Sequence, residues 1–351
     1  MQRRCLRWRV CETKVTKICH FNEQLVAWWR TNGYVMPLHQ GPRYHDDLSL
    51  IFTDPRLYVL ERTLTPHRHP EQLFRASLSK SDLDELRVLL THARHSPSLH
   101  ALPWSCDGHL MGQLARVHVP QLLQVLQPCQ ASPTQVLWSP DASSSKERSQ
   151  ALEGALQMLH IQGQLRGWRS ERFSFWSHDT MLPQPAQSDF VRVERAGFLY
   201  LGMLSHAVHI NGFTPDGHLW CGQRSATKST DPGLWDNLTA GGLPAGETLL
   251  QCAERELWEE AGFTLDDSAA LQTAGQVRIS QMAPGGWHDE VLHVFNLALP
   301  DSFVPCNQDG EVQALERLSA LQLMGRINAG KFTPDAALAI AQGLLKMDSI
   351  P

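Results

Sequence analysis

No apolar run in this 351-residue chain approaches the roughly 20 residues that a membrane-spanning helix requires. No two of its eight cysteines form a CxxC pair. Cys5, Cys11, Cys19, Cys106, Cys129, Cys221, Cys252 and Cys306 are scattered, so neither a zinc ribbon nor a disulfide framework is indicated. Cys11, Cys19 and His20 match no standard metal spacing, and the cysteines read as free thiols. Positive charge is not in excess: 31 Lys and Arg stand against 36 Asp and Glu, for a net charge of -5. That balance gives no electrostatic case for nucleic acid. No GxxxxGK[ST] phosphate loop is present. The cysteine usage fits a reducing, cytoplasmic setting. The first twenty residues carry six Lys or Arg and one Glu, without the apolar core of a secretory signal. An organelle transit peptide stays open, although the segment is poor in Ser.

The 42% hydrophobic content suffices for ordinary cores, and the length favours two domains. Residues 1–77 scatter Arg, His, Trp and Pro without sustained period and read as a poorly packed extension, with His67-Arg68-His69-Pro70 as a loop. Residues 78–190 read as a smaller α+β domain. A helix starts at Ser81 with an apolar stripe at Leu83, Leu86, Leu89 and Leu90. Residues 104–112 form a hairpin around Asp107-Gly108, and 119–126 a short helix. Residues 140–149 read as a Ser-rich loop, 151–162 as a helix stopped by Gly163, and 172–176 as a strand. The remaining residues, 191–351, form the catalytic domain. Residues 199–213 are strand-rich, Pro215-Asp216-Gly217 is a turn, and 219–224 is the returning strand. Strands at 275–282 and 290–299 follow, and a last helix starts with Thr333 as N-cap and Pro334 at its first position.

The chemistry-bearing stretch is residues 241–263. It runs Gly241, five residues, Glu247, seven residues, then Arg255-Glu256-Leu257-Trp258-Glu259-Glu260-Ala261-Gly262-Phe263. Leu250, Ala253, Leu257 and Ala261 follow the spacing of a buried helix stripe. Glu256 and Glu260, four apart, stack on one face with Glu259 one step around. Like charges at that spacing destabilise a bare helix, and a hard cation such as Mg²⁺ between them removes the repulsion. Arg255, four before Glu259, is set to hold that carboxylate. Gly241, Gly242 and Gly246 allow a tight loop ahead of the helix, and Gly262 is a natural stop. Glu254 reads as a solvated helix residue, and Cys252 as a small buried thiol.

These nine spaced positions match the signature of the Nudix hydrolase family, which the chain resembles. The resemblance implies an α/β/α sandwich and Mg²⁺- or Mn²⁺-dependent attack of water on a diphosphate. Glu256, Glu259 and Glu260 are then metal ligands, joined by the Gly241 carbonyl. Trp168-Arg169-Ser170-Glu171, Val193-Glu194-Arg195-Ala196, His209-Ile210-Asn211-Gly212, Arg224-Ser225-x-x-Lys228 and Asp236-Asn237 resemble the thiamine pyrophosphokinase-related branch, over about residues 78–340. Ser170 stands where that branch has Asn, and Ala207 where it has Gly. The branch implies hydrolysis of thiamine diphosphate, or its oxidised and damaged analogues, to monophosphate and phosphate.

Beyond the box, Arg224 and Lys228 are candidates to grip the diphosphate, one as a fork and one as a point charge. The other reading is a pair of solvated loop cations. Asp236 and Asn237 position substrate or brace the loop. Asn211 reads as a turn cap and His209 as a satisfied strand histidine. Trp220, Trp235 and Trp287 are aromatic candidates for a cationic ring, or core. Residues 168–171 read as an inter-domain brace or as part of the pocket. Glu290 and Glu311 are candidates for the catalytic base, as is Glu259. Competing readings are hydrolysis of oxidised nucleoside diphosphates such as 8-oxo-dGDP, thiamine diphosphate synthesis, and a non-catalytic sensor of a phosphorylated metabolite.

Overall fold

Alternation of apolar residues along one strand decides how the layers stack. In a computed structural model, which describes residues 69–92, 99–142, 144–228, 230–265 and 270–346, strand β7 is Ser205–Phe213 and is buried throughout. Its Val208 and Ile210 pack with Leu257 and Ala261 of one helix, and its Ala207 and Phe213 with Ala336, Ile340 and Leu344 of another. A strand with two apolar faces is a central strand covered on both sides. The result is the expected mixed α/β sandwich.

Ahead of it lie helices α1 (Pro70–Ala76) and α2 (Lys80–His92), strands β1 (Ala101–Cys106) and β2 (His109–Ala115), helix α3 (Val119–Val125), strands β3 (Cys129–Ala131) and β4 (Val136–Trp138), and helix α4 (Ser145–Ile161). The four strands form one sheet in the order β2-β1-β4-β3. Strands β5 (Arg172–Phe175) and β6 (Val191–Glu194) make a separate ribbon, and α5 (Ala196–Leu201) leads into β7. Trp104, Trp138, Leu156, Phe175, Val193 and Phe198 share a core that reaches Val291 of the larger sheet.

That larger sheet adds β8 (Leu219–Arg224), β9 (Trp235–Asp236), β10 (Thr239–Gly242), β11 (Leu271–Ala283), β12 (Gly286–Ala298) and β13 (Val312–Leu318). Its order is β11-β12-β7-β8-β13, with β10 on β7 and β9 on β8. Strands β12 and β7 run parallel, and the remaining pairs are antiparallel. Helix α6 (Leu249–Ala261) covers one face, while α7 (Ala320–Asn328) and α8 (Pro334–Leu345) cover the other. Thr333 caps α8 through the Ala336 amide, with Pro334 at the first position.

Several expectations change. Residues 70–76, assigned to a poorly packed extension, form α1 and bury Phe74 edge-on against Phe213, with ring centroids 5.8 Å apart. The rest of that extension, up to residue 68, lies outside the described residues. The loop read at 140–149 is half helix: Ser144 and Glu147 form a capping box, so α4 begins at Ser145. Residues 196–201 are helical, because Gly202 at φ 61° ends a short turn of helix before β7 begins. Asn211 caps no turn; it is fully buried on β7 and donates to Asn296 Oδ1 and the Ala339 carbonyl. Trp220, Trp235 and Trp287 are all buried, which matches the core reading of these side chains.

Phe74→Ala is expected to cost about 3–5 kcal/mol in urea unfolding, while Leu73→Ala, 38% exposed in the wild-type chain, costs under about 1 kcal/mol. Equal small losses at both positions would show that α1 does not dock.

Candidate active site

The helix α6 is fixed at both ends by its own sequence. Thr248 accepts from the Gln251 amide while Gln251 answers the Thr248 amide, closing the N-terminus. At the other end Gly262 adopts φ 64°, and its amide and that of Phe263 bond the Trp258 and Leu257 carbonyls. Between these caps Cys252, Ala253, Glu256, Leu257, Glu260 and Ala261 are buried. Leu250, expected in the stripe, is 40% exposed, and Cys252 takes the inward place. Glu254 is exposed, as read from sequence.

Glu256 and Glu260 therefore enter the protein side by side, and Arg255 manages the charge. Its guanidinium donates to Glu247 at 3.1–3.3 Å, to Glu256 Oε1 at 2.7 Å and to Glu259 Oε2 at 3.1 Å. Burial works against its charge, but the bonds it donates to Glu247 and Glu256 hold its pKa above the ordinary value. Burial pushes Glu256 up to about 7, with Arg255 opposing and Glu259 adding to the rise. Burial and then the Glu256 charge push Glu260 well above the carboxylate range. Glu260 Oε2 accepts from the Ala240 amide at 2.9 Å.

Gly241 lets the two elements meet. A Cβ there would stand 1.8 Å from Glu256 Oε1, so only glycine admits that carboxylate beside β10. The Cys252 thiol points at the Gly242 carbonyl at 3.4 Å and the Gly241 carbonyl at 3.9 Å. Three carboxylates drawn together on one helix, two of them buried with raised pKa values, form a donor set that fits a hard divalent cation. Glu256, Glu259 and Glu260 would hold it, with the Gly241 carbonyl beside them.

The loop after β8 brings Lys228 into the field of Glu260, and Lys228 Nζ bonds Glu311 Oε2. Burial lowers the Lys228 pKa, Glu260 opposes that, and Arg224 and Arg169 add to the lowering. Glu311 precedes β13 and is also bonded by Arg169 Nη1 at 2.9 Å. Of the base candidates, Glu311 thus lies among the cations next to the box. Glu259 is on Arg255. Glu290 instead accepts from Ser205 Oγ at 2.7 Å and groups with His288 and Asp335, one ligand atom of each lying within 4.8 Å of the others. Asp335 is in the first turn of α8, on the sheet face opposite α6.

Arg224 departs from its expected role. It donates to Asp236 Oδ2 at 3.1 Å and, from two nitrogens, to the Thr230 carbonyl at 2.9 and 3.1 Å. Asp236 answers Arg224 and accepts from the Asn237 amide, so this pair braces the loop. Asn237 is 1% exposed and accepts from His209 at 2.8 Å while donating to Asn211. A side chain so enclosed is a brace and not a ligand contact.

Glu247, Glu171 and Arg195 were present in the quoted motifs without a role. Glu247 sits in the loop, off the helix period, so spacing could not pair it with Arg255. Arg195, bonded to Glu171 at 2.5 Å, lies in the field of Glu256.

A NUDIX domain model matches residues 204–338. Over 194 residues the chain is 32% identical to Nudix hydrolase 24, chloroplastic, of Arabidopsis thaliana, covering 54% of this chain and 52% of that protein. It is 38% identical over 135 residues to an uncharacterised Nudix hydrolase of Listeria monocytogenes, covering 38% of this chain and 74% of the relative. The chain spans about half the length of the Arabidopsis relatives it matches. Among solved structures, DR0079 of Deinococcus radiodurans is similar with a TM-score of 0.37 at 22% identity, over 48% of this chain and 97% of that one.

Mg²⁺ is expected to stabilise the chain in a pH-dependent way. The Glu256 pKa is raised from 4.5 to about 7, so its contribution to stability is present in full below pH 4.5 and is lost as pH rises through about 7. A cation replaces that loss by binding the charged form. At 100 times its Kd, Mg²⁺ should add about 2.7 kcal/mol at pH 8 and far less at pH 5, read as the shift in thermal midpoint. An equal shift at both pH values would count against carboxylate ligation.

Proposed function

The chain belongs to the Nudix hydrolase family, and from that premise we propose that it hydrolyses thiamine diphosphate, or its oxidised and damaged analogues, to the monophosphate and orthophosphate with Mg²⁺ or Mn²⁺. The observation that carries the hydrolytic reading is the complete set of box carboxylates, Glu256, Glu259 and Glu260, gathered beside Lys228 and Glu311. A sensor that had lost catalysis would have no need of two buried like charges four residues apart.

The divalent ion, when bound, neutralises phosphate charge and activates the attacking water. The chain's own residues do the rest. Arg255 keeps the carboxylates of Glu247, Glu256 and Glu259 in register. Lys228 meets the phosphate as a point charge. Water bonds to the terminal phosphorus, the bridging P–O bond breaks, and the bridging oxygen leaves on the monophosphate. Glu311, which lies next to the box, takes the proton of the attacking water once phosphate has drawn Lys228 away from it. Glu290, on the far face of the sheet with His288 and Asp335, is not suited to it.

The motifs shared with the thiamine pyrophosphokinase-related branch support the thiamine ring as the organic part. A reducing compartment suits the free thiols Cys106, Cys129, Cys221, Cys252 and Cys306.

Phosphate release measured with thiamine, oxothiamine and oxythiamine diphosphates beside 8-oxo-dGDP is expected to favour the thiamine series. A preference for 8-oxo-dGDP would replace this substrate with oxidised nucleotides. Glu260→Gln should lower kcat roughly 10²- to 10³-fold, and Glu311→Gln about 10²- to 10⁴-fold. Undiminished turnover by Glu260→Gln in Mg²⁺ would refute the metal role.

A further inference from the structure

The family domain begins at residue 204, yet the chain ahead of it reaches the box at three points and Glu311 beside the box at a fourth. The Ala245 amide donates to the Arg172 carbonyl at 2.8 Å. The Phe173 ring lies where a side chain on Gly242 would project, with Cζ 2.4 Å from an ideal Cβ. Arg195, over that ring at 5.1 Å, stands in the field of Glu256. Arg169 bonds one oxygen of Glu311 and Lys228 the other.

The turn that presents Arg169 is built in detail. Trp168 stacks on His160 with centroids 5.0 Å apart. The Arg169 amide is fixed at 3.0 Å by Glu194, itself 1% exposed. Ser170 is held at φ 60°, in the left-handed region that L side chains rarely adopt. All this delivers a guanidinium to an ion pair whose side chains are 40% and 32% exposed. Exposed pairs stabilise a fold little, so stability does not explain the turn.

A diphosphate needs more than one cation. Arg224 is tied into its own loop by three bonds to Asp236 and Thr230. Lys228 and Arg169 converge instead on the two oxygens of one carboxylate, Glu311 Oε2 and Oε1. A carboxylate clamped between an ammonium and a guanidinium occupies the place an anionic phosphoryl group would take.

We propose that Arg169, supplied by the segment preceding the family domain, is a diphosphate-binding residue, and that Glu311 stands in for the substrate phosphoryl group between Arg169 and Lys228 until substrate displaces it. The inference rests on the diphosphatase reading and adds a residue that the box and its loops do not contain. It also resolves a tension in that reading. A carboxylate held by two cations is a poor base, and the transfer of those cations to phosphate frees Glu311 to accept a proton.

The test uses the full chain with Mg²⁺ and methylenediphosphonate, a diphosphate mimic that water does not cleave, with binding read by calorimetry. Arg169→Ala is expected to weaken binding about 10- to 100-fold, and Arg169→Lys, which keeps the charge and loses the fork, by less. Arg87→Ala, which removes an exposed partner of Asp84, should leave it unchanged. Glu311→Gln should bind the diphosphonate more tightly than wild type while turning over more slowly. A merely structural ion pair has no reason to give that opposition. Wild-type binding that is matched by Arg169→Ala, or Glu311→Gln binding no tighter than wild type, overturns this inference and leaves the diphosphatase reading standing. A wild-type chain that neither binds the mimic nor hydrolyses a diphosphate overturns both.

Discussion

One guanidinium carries the electrostatic burden of the site. Arg255 divides its donors among Glu247, Glu256 and Glu259, and so opposes the cost of burying Glu256 on α6. Glu260, four residues on, is held instead by the Ala240 amide and the charge of Lys228. Together these contacts keep the carboxylates close enough to share a cation. The glycine at 241, which leaves room for Glu256 beside β10, and the caps at Thr248 and Gly262, which fix the phase of the helix, serve the same arrangement.

Around that centre the cations are arranged in two ranks. Arg224 is committed to Asp236 and the Thr230 carbonyl, which gives the loop before β9 its shape. Lys228, carried on that loop, is thereby aimed at the carboxylates, and burial makes its charge costly unless an anion is near. Glu311 supplies that anion in the free protein. The ribbon of β5 and β6 closes the opposite side, with Phe173 on Gly242 and Arg195 tied to Glu171. The site is thus lined by three stretches of chain far apart in sequence.

What was legible and what was not follows the range of each interaction. Hairpin β1–β2, helix α8 with its Thr333 cap, and the turn at residues 215–217 were readable because their signals are local. The helix at 196–201 was missed because six residues sandwiched between strands give too little period to register. Leu250 was misplaced because a stripe one residue wider fits the same apolar pattern, and packing chose Cys252. Asn237 looked like a loop residue available to a ligand, but β9 and β10 draw it beneath the sheet edge, where His209 and Asn211 satisfy it.

The sequence by itself determined that three carboxylates share a capped helix with Arg255, since a period of 3.6 residues and a capping box are properties of neighbouring residues. A hard divalent cation was the expectation that such oxygens raise. The tertiary structure alone decided which charges meet them. Arg169 and Glu311 are 142 residues apart, and Lys228 and Glu311 are 83 apart. No spacing rule links such pairs. They meet because β13 pairs with β8 in one register, setting Val312 against Arg224, and because the β5–β6 ribbon docks on the loop before α6. The pairing of β12 with β7, which sets Glu290 against Ser205, left Glu290, equally eligible by composition, on the far face with His288 and Asp335.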